Sequence, residues 1–130
     1  MRRLSAIIGA VRYSVVNTSR GDAVLGDRIE RAGTFWQRFM GLMGRPALGK
    51  GEGLHIDPCN GIHMFFMKIP LDVVFIDDHG LVIRAIKHIK PWRATRNYAK
   101  ATSVIELPVG VLDATGTETG DRLEFRPGVS

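Results

Sequence analysis

"LDVVFIDDHGLVIRAIKHI", residues Leu71 to Ile89, decides the fold class. "LDVVFID" is dense in β-branched and aromatic residues, which pack well on a pleated surface. "DHG" is a turn cluster, and "LVIRAIKHI" resumes the apolar pattern. Two such runs joined by a short glycine-containing turn predict an antiparallel hairpin.

Outward from this hairpin the same signals recur. "VRYSVVNT", residues 11–18, and "AVLGDRIER", residues 23–31, flank the turn "SRGD" and predict a second hairpin. "LHIDPCNGIHMFFM" reads as two short strands around a turn at Asp57 to Gly61, and "TSVIELP" and "RLEF" read as later strands. Phe35, Phe39, Leu42 and Met43 recur at helical spacing after Thr34, a plausible N-cap, and Gly44 and Pro46 stop that helix. "VGVLDATGTETGD" holds one further helical turn. "ALGKGEG" lacks the lysine-plus-hydroxyl ending of a phosphate loop. The expected fold is α+β and mostly β: a small antiparallel barrel or rolled sheet of about seven strands with one or two short helices. Residues 11–126 form one domain, with flexible tails at 1–10 and 127–130.

Composition sets the bounds. The chain has 130 residues, 45% hydrophobic and 24% charged, as expected of one globular domain. Its one cysteine excludes an internal disulfide. No run approaches the ~20 apolar residues of a membrane span. Arg12 interrupts the apolar opening before any cleavage site, so a cytoplasmic location is expected, with export the minor alternative.

The formal charge is +5. Arg84, Lys87, Lys90, Arg93, Arg96 and Lys100 fall in one stretch without an acid, with Trp92 and Tyr98 among them. Cations with aromatics can pair phosphates and stack bases of single-stranded nucleic acid. A solvated basic loop is the simpler reading, and no nucleic-acid-binding signature supports the sharper one.

Three constellations carry candidate chemistry. His55, Cys59 and His63 recur every fourth residue near Met64 and Met67, ligand types that suit copper or zinc. Pro58 and Gly61 break the helix that such spacing needs, and the paired ligands of a zinc site are missing, so no metal and no cofactor is expected. Cys59 and His63 could form a thiolate–imidazole pair oriented by Asp72, with Lys68 favouring the thiolate. A small buried thiol in a turn is the simpler reading. Asp72 opens the apolar run "VVFI", where a carboxylate needs partners. Arg38, Arg45 and Lys68 are the candidates, either as a structural salt bridge or around a polar pocket.

"RFMGLMGRPAL", "GEGLHIDPCNGIHMFFMKIPLDVVFIDDHGLVI", "KPWR", "SVIELPVG" and "GDRLEF" together resemble the bacterial and archaeal family catalogued as domain of unknown function 192, over roughly Ser14 to Phe125. The resemblance implies a compact, β-rich single domain with no established activity. It also implies that Arg38, Arg45, Cys59, His63, Met67, Asp72, Asp77, Arg93, Glu106 and Asp121 matter. Met64 stands where related sequences often carry threonine. The leading expectation is a non-catalytic domain that binds a small polar or anionic ligand through Arg38, Arg45, His63, Met67 and Asp72, or is purely structural. Enzymatic use of Cys59 and His63 and nucleic-acid binding through residues 84–100 are the alternatives.

Overall fold

The computed structural model describes residues 12–32, 48–62, 64 and 68–127. Seven strands follow in order: β1 (Arg12–Asn17), β2 (Ala23–Ala32), β3 (Glu52–Ile56), β4 (Leu71–Ile76), β5 (Val82–Ile89), β6 (Ser103–Leu107) and β7 (Leu123–Pro127). One short helix, α1 (Val111–Thr115), precedes β7, and a 3-10 turn, Thr18–Arg20, joins β1 to β2. Both expected hairpins form, with Tyr13 opposite Ile29 in one and Val74 opposite Ala85 in the other. β7 runs through Pro127, one residue into the expected tail. The expected helix over residues 33–46 lies outside the described residues.

The strands form one sheet in the order β5-β4-β6-β3-β2-β1-β7. All neighbouring pairs are antiparallel except β2 and β3, which run parallel from Arg28 opposite Glu52 to Ala32 opposite Ile56. The sheet curls into a half-barrel. Its far ends meet where the Leu123 N–H donates to the Gly80 carbonyl at 2.8 Å and the Val82 N–H donates to the Asp121 carbonyl at 2.8 Å. These bonds satisfy backbone groups that an open edge would leave unpaired.

Alternation along each strand builds two cores. Val15, Leu25, Ile29, Val74, Ile76, Ile105, Leu107 and Leu123 fill the inside of the curl, with Leu112 of α1. Leu54, Ile56, Leu71, Val73, Phe75 and Val104 form the outer core. β4 and β6 are therefore buried on both faces. Met64 and Tyr98 pack over the outer core from two loops. These loops pair irregularly: Tyr98 donates to Asn60, Thr95 to Ile62 and Trp92 to Met64, at 2.8, 2.8 and 2.7 Å. Ile62 and Met64 thus sit in this ribbon rather than in the regular strand expected there. His63 and residues 65–67 lie outside the described residues.

Candidate functional site: a polar cleft at the barrel mouth

On β3, Leu54 and Ile56 face the outer core, so Gly53 and His55 face into the curl. His55 lies opposite Arg31 on β2 and Ile105 on β6. Its ring stacks on Phe125 with centroids 4.6 Å apart and planes tilted by 38°. Nε2 lies 2.9 Å from Ser103 Oγ, while Nδ1 is buried without a partner. The residue is only 7% exposed. That burial lowers its pKa to about 4; Asp57 opposes the shift and Arg31 adds to it. The imidazole is therefore neutral at pH 7.

His55 lines an open cleft of about 420 Å³ where β3, β4, β6 and β7 converge. Arg31 and Asp57, paired at 3.0 Å, stand on one side. Asp77, Asp78 and Gly80 from the β4–β5 turn stand on another, and Tyr13 and Phe125 complete the wall. Asp77 Oδ1 accepts from the His79 and Leu81 N–H groups at 2.8 and 2.9 Å. Burial alone would raise the Asp77 pKa, but these amides outweigh it and hold the carboxyl below its ordinary value.

The Ser103–His55 pair has the spacing of a nucleophile and its base. Among the described residues Nδ1 meets no carboxylate that would orient the ring as the third element of a triad does. A pKa of about 4 also makes His55 a poor base at neutral pH.

Of the described residues singled out in the sequence, His55 and Asp77 line this cleft, whereas Asp72 and Cys59 lie elsewhere. Asp72 is 1% exposed and sits at the opposite end of β4 from the cleft. Its Oδ1 accepts from the His88 N–H at 2.9 Å, and its Oδ2 from the Gly110 and Leu112 N–H groups at 3.1 and 3.0 Å. Its partners are backbone amides, where side-chain cations were expected. Asp72 ties the end of β5 to the start of α1. Arg38, Arg45, His63 and Met67 lie outside the described residues. Cys59 is half-buried, and its thiol donates to the Gly61 carbonyl at 3.1 Å.

The basic stretch divides. Arg84 and Lys87 lie on β5, where Lys87 meets Asp113 at 2.6 Å. Lys90, Trp92, Arg93, Arg96 and Lys100 follow in the loop and are exposed. Tyr98 instead packs on Phe75, centroids 4.8 Å apart, beneath the Arg96 guanidinium. On the outer face, Glu106 lies between Leu54 and Val73 in the sheet and is 7% exposed. Burial raises its pKa to about 7. Among the described residues no cluster of three or more His, Cys, Asp or Glu side chains could hold a metal ion. No helix there is long and apolar enough to cross a membrane. A larger, mainly apolar trough of about 820 Å³ runs between β2 and α1, past Val24, Val109 and Ala114.

Fold and site together define a mostly β, single-domain protein: a mixed-sheet half-barrel with a polar cleft at one mouth. The chain belongs to the family DUF192, described as "Uncharacterized ACR", whose model matches residues 15–125. A protein of Thermococcus sibiricus named "UPF0127 protein" is 35% identical over 116 residues, covering 85% of this chain and 73% of its own. The solved structure of a protein of unknown function from Novosphingobium aromaticivorans superposes with a TM-score of 0.75. It is 28% identical and covers 88% of this chain and 84% of its own. A second, from Sinorhizobium meliloti, has a TM-score of 0.74 at 25% identity, covering 89% and 93%; it is named provisionally as a transcription regulator.

Proposed function

We propose that this protein is a non-catalytic domain that binds a small polar ligand at the barrel mouth, around His55 and Ser103. The observation that carries this reading is the buried imidazole with an unpartnered nitrogen beside an open cleft. A buried polar atom without a partner costs about 1–3 kcal/mol, and interior strand positions are ordinarily filled by apolar side chains. The uncommitted hydrogen-bonding capacity of the ring supports a binding role. The reading moves the pocket away from Asp72, whose oxygens are occupied by amides. An amide-resolved NMR screen of polar fragments tests it. Hits should move the Gly80, Ser103 and Phe125 signals together; hits that consistently cluster elsewhere overturn it.

A second reading is favoured by one observation. Trp92 is 59% exposed and its backbone is left-handed, with φ 67°, a conformation rare for bulky residues. With Lys90, Arg93, Arg96 and Lys100 around it, this ridge suits single-stranded nucleic acid, and the name of the Sinorhizobium meliloti structure points the same way. A gel shift that weakens steeply with salt and is lost in Trp92→Ala would support it. No shift at low salt rejects it.

A further inference from the structure

We infer that the cleft at the barrel mouth takes a cationic ligand, a small molecule presenting an alkyl- or arylammonium group. This rests on reading the cleft as a ligand site and adds the class of ligand. The chain as a whole is basic, with a formal charge of +5, yet among the described residues the cleft is lined by four carboxylates and one guanidinium. Two of those carboxylates are already engaged. Asp57 holds Arg31 at 3.0 Å, and Glu124 meets Arg126 at 3.2 Å. Among the described residues Asp77 and Asp78 form no ion pair: Asp77 accepts hydrogen bonds from backbone N–H groups, and the Arg122 guanidinium and His79 act on its charge only from longer range.

The opposite wall suits the same guest. Phe125 stacks on His55, and the Tyr13 ring meets Phe125 edge-on at 6.1 Å and 87°. Aromatic faces carry negative quadrupole density and attract ammonium groups. Acidic residues alone would show only a solvated rim. The buried imidazole with its unpartnered nitrogen is the independent sign that this mouth is built to hold something.

Three probes of one shape and three charges decide the matter: benzylammonium, benzyl alcohol and benzoate, titrated into the full chain at pH 7 with amide shifts as the readout. Benzylammonium should move the Gly80, Ser103 and Phe125 amides and bind about tenfold tighter than benzoate, with the difference shrinking at high salt. Asp78→Asn alters an exposed side chain and should weaken benzylammonium about threefold while leaving benzyl alcohol unchanged. Asp57→Asn releases Arg31 and should shift the preference toward benzoate. If benzyl alcohol or benzoate binds the wild-type cleft as tightly as benzylammonium, the cationic class is wrong and the ligand site stands. If none of the three moves the cleft amides, both are wrong.

Discussion

His55 Nε2 and Ser103 Oγ lie 2.9 Å apart on neighbouring antiparallel strands, and among the described residues neither side chain has another hydrogen-bond partner. Ser103→Ala would leave both ring nitrogens buried and unpaired, so it should destabilise the fold by about 1–3 kcal/mol. The double variant His55→Leu, Ser103→Ala removes both polar partners at once. It should be more stable than Ser103→Ala alone and approach the wild type, because an apolar pair leaves nothing unsatisfied. Denaturant titration of the four proteins checks this. A double variant that loses the sum of both single losses would show that the pair contributes directly to stability.

Asp72 joins three amides from two elements, so its replacement acts at the far end of β4 from the His55 cleft. Asp72→Asn presents an N–H₂ group to backbone donors and loses the charge that all three bonds use. It should cost about 2–4 kcal/mol, seen as a lower denaturation midpoint. Exchange of the His88, Gly110 and Leu112 amides should rise together, ahead of the central strands β4 and β6. Loss of protection confined to one amide would mean that the three bonds do not act as a clamp.

His55 and Glu106 make the stability respond to pH in opposite directions. His55 titrates near 6.5 when unfolded and about 4 when folded, so the unfolded chain takes up a proton first and stability falls as pH drops through that window. Glu106 titrates near 4.5 when unfolded and about 7 when folded, so stability falls as pH rises between those values. Each swing is on the order of 3 kcal/mol. Between about pH 4.5 and 6.5 the two contributions oppose one another. Glu106→Gln should unmask a rise in stability with pH across that range, and His55→Leu a fall. Urea midpoints measured every half pH unit would show both slopes; parallel profiles for the two variants would contradict the assignment.

The strands were legible in the sequence because each carries its own signal. β-branched runs bounded by Gly, Asp and Pro mark both hairpins, and the alternation of Leu54 and Ile56 with Gly53 and His55 is visible in "EGLHI". The site was less legible. In the sequence His55 stands out only through its four-residue spacing from Cys59 and His63, a helical relationship, whereas His55 itself lies on strand β3. Its true neighbours, Ser103 and Phe125, are 48 and 70 residues away and meet it only because the sheet curls. The position of Asp72 at the head of an apolar run does signal a carboxylate in need of partners. Those partners are backbone N–H groups, which no side-chain pattern announces. The parallel pairing of β2 with β3 was also invisible, since apolar alternation does not encode strand direction.

The closure of the curl depends on Gly80. Its φ of 80° is a conformation that side chains with a Cβ rarely adopt, and a Cβ built there would strike the Leu123 carbonyl oxygen. That contact is with backbone held by the Leu123 N–H to Gly80 carbonyl bond at 2.8 Å, so neither side can yield without opening the seam. Gly80→Ala should therefore cost more than the roughly 1–3 kcal/mol that left-handed strain alone carries. Because Gly80, Leu123 and Phe125 also line the cleft, probe binding should weaken in the same variant. Gly116→Ala is the control: it also has a positive φ, of 70°, but a Cβ there meets only the Arg20 side chain at 3.9 Å. It should lose less stability and leave binding intact. Equal losses from the two alanines would mean that backbone strain, and not the seam between the β4–β5 turn and β7, sets the cost at Gly80.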